Sequence, residues 1–492
     1  MGIGTAALIS SDWSPVQSAC LIAARLHEQI IDKDGIYLYI FTIVISCLIT
    51  LFNKNGCINS LASSITKQVK SARMIQTSSI FISFLLFIDD WLSILTTGFI
   101  MSPLTDRFGI ARQKLAFLVH SLAGSVVILA PVSSWVGAIT NYMSAAGIKP
   151  VAGCGTYIQA DPFFMYLETI PFIFYSFLII GSVFFIVYNS ISYGPMRAYE
   201  LAAHATVTSN PGNQEESSAP VSDLFIPIIV LVLGTFVGLL YTGNFYLFGG
   251  NNSFVDAIKN SGLCLSICVA SIVALILGIV LSFMHKTITS KQVPSFLYEG
   301  TILMLPVIMM LFLATAFGVM LKNDICTGQY LATNLLKNIP IVLLPAMFFI
   351  VTIIITIAAS GAWAAIALTL PIALPMLSSL LHLNTSATPA EIAILFPLLG
   401  AIFAGAVCGD HISPVCAATI VTASSTGVPP LEHAYTQFFY ALPAVLCSIV
   451  AFLISGYLAG YPAWINCLCS LSVSMVICFA MLWLLNKNKV KS

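Results

Sequence analysis

The chain has 492 residues, of which 59% are hydrophobic and only 8% are charged. This composition, with a mean hydropathy of +0.98, excludes an ordinary soluble domain and predicts an integral membrane protein. Lys and Arg together number 19, as do Asp and Glu. The resulting net charge of zero indicates no nucleic-acid partner.

The apolar stretches predict an all-α polytopic membrane protein, because a helix that spans a bilayer needs about 20 apolar residues. About nine full crossings are expected, at residues 36–52, 115–141, 167–189, 224–243, 262–284, 301–321, 391–424, 437–458 and 464–486. Residues 1–35 are expected to be extramembrane or interfacial, without the pattern of a cleaved signal peptide. The 13 cysteines are interpreted as small buried hydrophobic residues.

Two further apolar stretches, 78–102 and 340–381, are predicted to be re-entrant hairpins. The first contains "FIDDWL", and Asp89 and Asp90 leave about a dozen residues on either side, too few for two crossings. Basic residues flank this stretch on both sides, so the positive-inside rule places both flanks in the cytoplasm. These residues are Lys54, Lys67, Lys70 and Arg73 before it, and Arg107, Arg112 and Lys114 after it.

The other basic residues extend this topology to the rest of the chain. Arg197, Lys286, Lys291 and the basic tail 487–492 all become cytoplasmic if the stretch 340–381 returns to the side on which it starts. The second hairpin is therefore predicted to open on the outside, opposite to the first.

Hairpins of opposite orientation indicate two inverted repeats, an organisation common among secondary transporters. The repeats are predicted to be 36–200 and 223–486, joined by a polar linker at 201–222. A weak echo in the sequence supports them, because a tryptophan precedes a proline by the same spacing in both hairpins. The pairs are Trp91 with Pro103 and Trp363 with Pro375.

A long membrane segment with Gly, Pro and Ser clusters follows each hairpin. It reads "FLVHSLAGSVVILAPVSSWVGAI" in the first half and "GAIFAGAVCGDHISPVCAATIVTASSTG" in the second. Such clusters free backbone amides and carbonyls, which is tolerated at membrane depth only where they face protein or a water-filled cavity. The sequence therefore predicts an ion or solute site where the hairpins and these broken segments meet.

Three carboxylates are the main candidates for this site. A carboxylate inside a membrane is costly unless it is paired, protonated or facing water, so Asp89, Asp90 and Asp410 are predicted to share one polar cavity near the midplane. The alternative for the first pair is that one aspartate caps the second helix of the hairpin.

Other side chains could complete a cation site or move protons. A sodium ion requires oxygen ligands, which the hydroxyl groups of Ser93, Thr97 and Ser413 could supply. His120 and His411 are candidates for a proton relay, although a neutral buried histidine can also serve only in packing. The run "GDHIS" would also suit an intramembrane hydrolase, but consecutive residues rarely converge as a triad requires. We therefore expect no enzyme, no cofactor and no metal beyond a transient Na+.

Several motifs resemble the NhaC-type sodium/proton antiporter family, in matching order across nearly the whole chain. They are "FIDDWLSILTTGFIMSPLTDRFGIARQKLAF", "APVSSW", "YGPMRAYE", "GLLYTG", "CTGQYLA" and "GDHISPV". The resemblance implies a secondary active transporter of the bacterial inner membrane that exchanges Na+ for H+, with re-entrant hairpins and elevator-like movement. Because the family also contains exchangers of organic acids, ion-coupled transport of a small organic acid or amino acid is the alternative. Homodimer formation is left open.

The chain also departs from the family pattern. Ala417 and Ala418 stand where the family usually has Asp and Thr, and His120 stands where an Asp is expected. In the second hairpin "ASGAWAA" replaces "GTSWGT" but keeps Ser360, which joins the expected binding residues. Family members also carry a further hydrophobic segment ahead of the first match, so we expect either an upstream start or one scaffold helix fewer.

Overall fold

A computed structural model describes residues 2–68, 71–153, 155–205, 219–335, 339–383 and 387–487 of the chain. The predicted flank residue Lys70, most of the predicted linker and all but the first residue of the tail lie outside these ranges. Within them the protein is helical apart from two short parallel strands, β1 (Ile148–Lys149) and β2 (Ile158–Gln159).

Eleven helices form the first half of the chain. They are α1 (Gly2–Ser10), α2 (Pro15–Ile31), α3 (Lys33–Asn55), α4 (Cys57–Gln68), α5 (Ala72–Leu85), α6 (Asp90–Arg107), α7 (Arg112–Leu129), α8 (Ser134–Ala146), α9 (Pro162–Thr169), α10 (Phe174–Tyr188) and α11 (Gly194–Ala205).

Eleven more helices form the second half. They are α12 (Ser222–Thr242), α13 (Phe254–Lys259), α14 (Leu263–Met284), α15 (Val293–Asn323), α16 (Thr327–Tyr330), α17 (Leu344–Ala359), α18 (Ala362–Leu380), α19 (Leu395–Ile412), α20 (Ala417–Thr426), α21 (Pro430–Tyr457) and α22 (Ala463–Lys487).

The helices long enough to cross a membrane agree with the sequence. In the described ranges ten helical segments qualify by length and hydropathy, and α9 with α10, bent by 46° near Ile173, makes an eleventh. Two of the eleven are α17 and α18, the arms of the predicted second hairpin, and the other nine correspond to the predicted crossings. The fold is therefore that of an all-α polytopic membrane protein.

Helices α5 and α6 form the first hairpin. Arg73, at the start of α5, lines the same cavity of about 310 Å³ as Gly109 and Lys114, which follow α6. Because the chain enters and leaves the hairpin at one place, α5 and α6 do not cross the protein in succession. This agrees with the hairpin predicted at 78–102.

The second hairpin, α17 and α18, opens at the opposite end of the molecule. The guanidinium of Arg112, beside the open end of the first hairpin, lies against Gly427, just before α21 begins. The carbonyl of Val342, at the open end of the second hairpin, lies against Gly456, at the far end of α21. The 28 residues of α21 span about 42 Å at 1.5 Å per residue, so the two hairpins point toward each other from opposite ends.

The two halves repeat the same construction. Each hairpin is followed by a helix interrupted by four residues, Ala130-Pro131-Val132-Ser133 between α7 and α8 and Ser413-Pro414-Val415-Cys416 between α19 and α20. Corresponding helices also contact the opposite half of the chain. The second arm of each hairpin packs on the broken helix of the other half, α6 on α20 and α18 on α8. In the same way α10 packs on α19, and α21 packs on α7. The paired tryptophans and prolines of the sequence echo occupy positions 2 and 14 of α6 and of α18.

Side chains satisfy the carbonyl groups that the interruptions leave free. Proline has no backbone N–H to donate, and the carbonyls of the last helical turn need other donors. The Ser133 hydroxyl donates to Val127 O (2.9 Å) and the Tyr166 hydroxyl donates to Ile128 O. In the second half the Thr419 hydroxyl donates to Ser413 O at 2.7 Å. Hydrogen bonds from neighbouring side chains therefore stabilise both interruptions.

A second group of helices stands beside the hairpins. α3 packs on α14 and α15, and α14 packs on α12. α15 also packs on α18 and α8, so it forms the boundary with the repeated elements. The N-terminal helices α1 and α2 lie against α15, where Arg25 pairs with Asp324 at 2.5 Å.

Candidate functional site

The tip of the first hairpin carries two adjacent carboxylates that occupy different positions at the start of α6. Asp89 is the N-cap of α6, and its Oδ1 accepts a hydrogen bond from the backbone N–H of Leu92 at 2.9 Å. Asp90 is the first residue of the helix, and both side chains line the same cavity. The capping alternative therefore holds for Asp89, and it does not remove that carboxylate from the cavity.

The tip of the second hairpin is built without a carboxylate. Ser360 ends α17 with φ of 59°, a left-handed conformation that is uncommon for a residue other than glycine and that tends to occur at functional sites. Gly361 is the N-cap of α18, and none of the side chains that the structure describes caps the first amides of that helix. Both residues line the cavity, so the positive end of the α18 dipole lies at its wall.

The two broken helices complete the wall. Asp410 lies two residues before the end of α19 and faces the cavity. Ser134 and Trp135 begin α8, Ala417 and Ala418 begin α20, and all four line the cavity. The positions where the family pattern has Asp and Thr are therefore occupied by two methyl groups at the site itself.

The cavity has a volume of about 220 Å³ and lies between the hairpin tips and the helices α3 and α15. Its lining contains three carboxylates, each only 5–7% exposed, and no Lys, Arg or His among the described residues that form it. Three tryptophans contribute as well, and the rings of Trp135 and Trp363 meet edge to face at 6.1 Å. The full lining is Thr42, Ile45, Ser46, Ile49, Asp89, Asp90, Trp91, Ser134, Trp135, Met304, Pro306, Ser360, Gly361, Ala362, Trp363, Asp410, Ala417 and Ala418.

Three of the predicted hydroxyl ligands lie elsewhere. Ser93 and Thr97 are fully buried on α6, about 4.5 and 10.5 Å farther along the helix axis than Asp90 at 1.5 Å per residue. Ser413 is buried in the break between α19 and α20, where its Oγ accepts from the N–H of Val415 at 3.3 Å. None of the three lines the cavity, whereas Ser360 does.

Comparison with known protein families identifies the family of this chain. A model described as "Na+/H+ antiporter family" matches residues 126–457, more than half of the chain. The chain belongs to the Na+/H+ antiporter family. The resemblance of the sequence motifs is thereby confirmed.

Similar proteins match most of the length of this antiporter-family protein. An uncharacterized protein of Haemophilus influenzae is 27% identical over 480 residues, covering 94% of this chain and 88% of its own. Two solved transporter structures share the fold at 15% identity. The YdaH transporter of Alcanivorax borkumensis has a TM-score of 0.55, covering 86% of each chain. MtrF of Neisseria gonorrhoeae, described as one of a class of antimetabolite efflux pumps, has a TM-score of 0.57, covering 91% of this chain and 85% of its own.

Both histidines predicted as relay candidates lie outside the cavity, in a cluster that also contains a third. His120 Nδ1 is 3.0 Å from Nε2 of His433, and the His120 and His411 rings are 5.0 Å apart. His433 was not predicted from the sequence because hydropathy starts the corresponding membrane segment at residue 437, whereas α21 begins at Pro430. The only sequence signal was the proximity of "LEHAY" to the start of that segment.

The residues of "GDHIS" do not assemble as a hydrolytic triad. The Nδ1 atom of His411 contacts the Tyr175 hydroxyl at 3.0 Å, and Ser413 is engaged with Val415. A nucleophile and its base must lie within hydrogen-bond reach of each other. In this antiporter-family protein the two residues of the motif have different partners: His411 contacts Tyr175, and Ser413 contacts Val415.

Proposed function

We propose that the protein exchanges Na+ for H+ across the bacterial inner membrane. The observation that carries the proposal is the cavity between the hairpin tips, which collects Asp89, Asp90 and Asp410 and has no basic side chain among the described residues of its lining. Buried negative charges require a counter-charge. Either a metal cation or protons can supply it, and the membership in an antiporter family favours both in alternation.

Competition for the same carboxylates would couple the two fluxes. A hard monovalent cation binds to ionised oxygen ligands, and a protonated carboxyl group is a poor ligand for it. Deprotonation therefore creates the cation site and protonation abolishes it. The Thr42, Ser46 and Ser360 hydroxyls, which line the same cavity, would complete the coordination in place of the predicted Ser93, Thr97 and Ser413.

A second candidate is the coupled exchange of a small amino acid. The cavity of about 220 Å³ is larger than a sodium site needs, and the uncapped N-terminus of α18 could bind a carboxylate. The three aspartates and the faces of the three tryptophans would suit an ammonium group. This candidate differs from a simple organic anion, for which the three carboxylates would be unfavourable.

Transport in proteoliposomes tests both candidates. A pH-sensitive dye inside the vesicles should report proton efflux after an external pulse of NaCl, and none after a pulse of choline chloride. Asp410→Asn should abolish the signal while the protein still inserts and elutes as a single species. Asp256→Asn is the matched control, because Asp256 is an exposed carboxylate on the short helix α13.

The outcomes separate the proposals. If sodium moves protons and Asp410→Asn does not, the antiport proposal stands. If sodium moves no protons but an amino-acid gradient does, the second candidate replaces the first. If Asp410→Asn exchanges sodium normally, the cavity is not the cation site and the proposal is wrong.

A further inference from the structure

A buried cluster of three imidazoles and one phenol lies behind the cavity. It brings together four helices: His120 comes from α7, His411 from α19, His433 from α21 and Tyr175 from α10. Nε2 of His433 and Nδ1 of His120 are 3.0 Å apart, and the Tyr175 hydroxyl is 3.0 Å from Nδ1 of His411. The rings of His120 and His411 meet edge to face with centroids 5.0 Å apart.

The three rings follow one another in the order His433, His120, His411, with a hydrogen bond joining the first two and a ring contact joining the last two. Each histidine is at most 1% exposed. His433 Nδ1, His120 Nε2 and His411 Nε2 have no hydrogen-bond partner among the described residues, although buried polar groups are normally paired. Each imidazole therefore has one nitrogen engaged with a neighbour and the other one available. No group of three or more His, Cys, Asp or Glu side chains in the described ranges could hold a metal ion, so a metal does not account for the cluster.

The cluster extends between the cavity and one end of the protein. His411 directly follows Asp410, the carboxylate that lines the cavity. At the other end, His433 lies in the first turn of α21, beside the 74% exposed Leu431. The neighbouring Glu432 accepts a hydrogen bond from Gln113 at 3.2 Å. This end of α21 is the one that Arg112 contacts through Gly427, on the flank predicted to be cytoplasmic.

We propose that His433, His120 and His411 form a proton relay between the cytoplasmic end of α21 and Asp410, separate from the route of the cation. The relay rests on the proposed antiport function. It assigns a role to His433 and Tyr175, which neither motif nor cavity singles out, and it gives the two predicted relay histidines a defined order.

The transfer balances at each ring. A proton taken up at Nδ1 of His433 makes an imidazolium, which releases its Nε2 proton to Nδ1 of His120. A rotation of one ring then brings Nε2 of His120 within reach of Nε2 of His411, two atoms that do not hydrogen-bond each other in the structure, and His411 takes up that proton. His411 passes its Nδ1 proton to the Tyr175 hydroxyl as that hydroxyl gives its own proton toward Asp410. Every ring returns to the neutral form with its tautomer exchanged, and rotation of the rings restores the starting state.

Ionisable residues lie on several of the helices packed around the cluster. Helices α17 and α20, which pack on α21, contain no ionisable residue. Lys114 and Glu200, on α7 and α11, pair with each other. The remaining described ionisable neighbours on helices packed against α21 or on the adjoining loop are Cys408 and Asp410 on α19, Arg112 on α7, Tyr175 and Tyr188 on α10, Tyr193, Arg197 and Tyr199 around α11, and Cys467, Cys469 and Cys478 on α22.

The test compares His433→Gln with His27→Gln across a range of pH. Glutamine keeps hydrogen-bonding capacity and cannot carry a proton, and His27 is a control on α2, outside the membrane helices. In proteoliposomes with sodium-driven proton flux, His433→Gln should lower the maximal rate at least tenfold, most strongly at alkaline pH where protons are scarce. The Na+ concentration that gives half the maximal rate should stay within twofold of the wild type, because the cavity is untouched.

Two further variants test whether the histidines act in one series and provide an alternative if His433→Gln does not fold. The double variant His120→Gln/His433→Gln should be no slower than either single variant, because both act in one series. If His433→Gln does not elute as a single folded species, Tyr175→Phe decides the matter, since it removes only the hydroxyl that contacts His411. It should show the same change in pH profile.

The failures are distinguishable. A wild-type protein that moves no protons in response to sodium overturns the antiport function and the relay together. A wild type that exchanges, with a folded His433→Gln or Tyr175→Phe of unchanged pH profile, overturns the relay alone and makes the cluster a packing feature. Additive losses in the double variant also overturn it.

Discussion

Asp89 offers a test that separates helix capping from cation binding in one side chain. Its Oδ1 accepts the N–H of Leu92 at 2.9 Å, and it also lines the cavity. Asn is about as good an N-cap as Asp, whereas Ala loses about 1 kcal/mol. Asp89→Asn should therefore change the free energy of unfolding by no more than about 0.5 kcal/mol, while Asp89→Ala lowers it by about 1 kcal/mol.

Transport should respond differently from stability. If the carboxylate of Asp89 binds the cation, both variants lose sodium-driven proton flux, although only the alanine variant is destabilised. Denaturant unfolding in detergent and dye-monitored flux measure the two effects on the same preparations. Ser253→Ala is the control for the loss of a cap far from the site, because Ser253 caps α13 by accepting the N–H of Asp256 at 3.3 Å.

Two results would refute this reasoning. Wild-type flux in Asp89→Asn would show that the side chain only caps the helix and that the cation site uses two carboxylates. Equal stability of the Asn and Ala variants would show that the capping hydrogen bond contributes nothing measurable.

Further predictions concern the cavity, the topology and pH. Ala417→Asp places a carboxylate at a position that lines the cavity and should lower the Na+ concentration for half-maximal flux, as measured in proteoliposomes; an unchanged or higher value would contradict the assignment. Ser71→Cys and Arg107→Cys, on the two flanks of the first hairpin, should react with an impermeant thiol reagent from the cytoplasmic side only in a background without native cysteines, and reaction from opposite sides would rule out the hairpin. Burial raises the pKa of Asp161 to about 6, above the ordinary value of about 4. The protonated carboxyl group therefore contributes its full stabilisation only below about pH 4, and this contribution is lost as Asp161 ionises above about pH 6. Asp161→Asn should therefore raise the melting temperature at pH 8 and leave it unchanged at pH 4, and a lower melting temperature at pH 8 would contradict this.

Much of the architecture could be predicted because it depends on local sequence. Charges in an apolar stretch and basic flanks suffice to locate a hairpin, and a carboxylate at membrane depth points to a cavity. The structure accordingly brings Asp89, Asp90 and Asp410 together. The Ala417 position was also predictable, because the family pattern aligns directly with the chain there.

The parts that could not be predicted depend on how helices are rotated against one another. Ser93 and Thr97 follow Asp90 on the same helix, yet only the packing of α6 against α7 and α20 decides which of its faces meets the cavity. His433 was missed because its segment begins earlier than hydropathy indicates. The three tryptophans at the site come from three separate elements, and although Trp91 and Trp363 occupy matching positions in the two hairpins, no sequence pattern connects Trp135 with them.

The uneven distribution of charge around the cavity bears on how the transporter avoids leakage. All three carboxylates belong to the first hairpin and α19, while α3 and α15 present only Thr42, Ile45, Ser46, Ile49, Met304 and Pro306. If the hairpins slide along this neutral wall, ionised aspartates without a bound ion would have to pass a surface of low polarity, at a cost of several kcal/mol per charge. On this mechanism the empty, ionised carrier would be kept from crossing. Strict exchange would then follow from an insulating wall, with no need for a gate that senses occupancy.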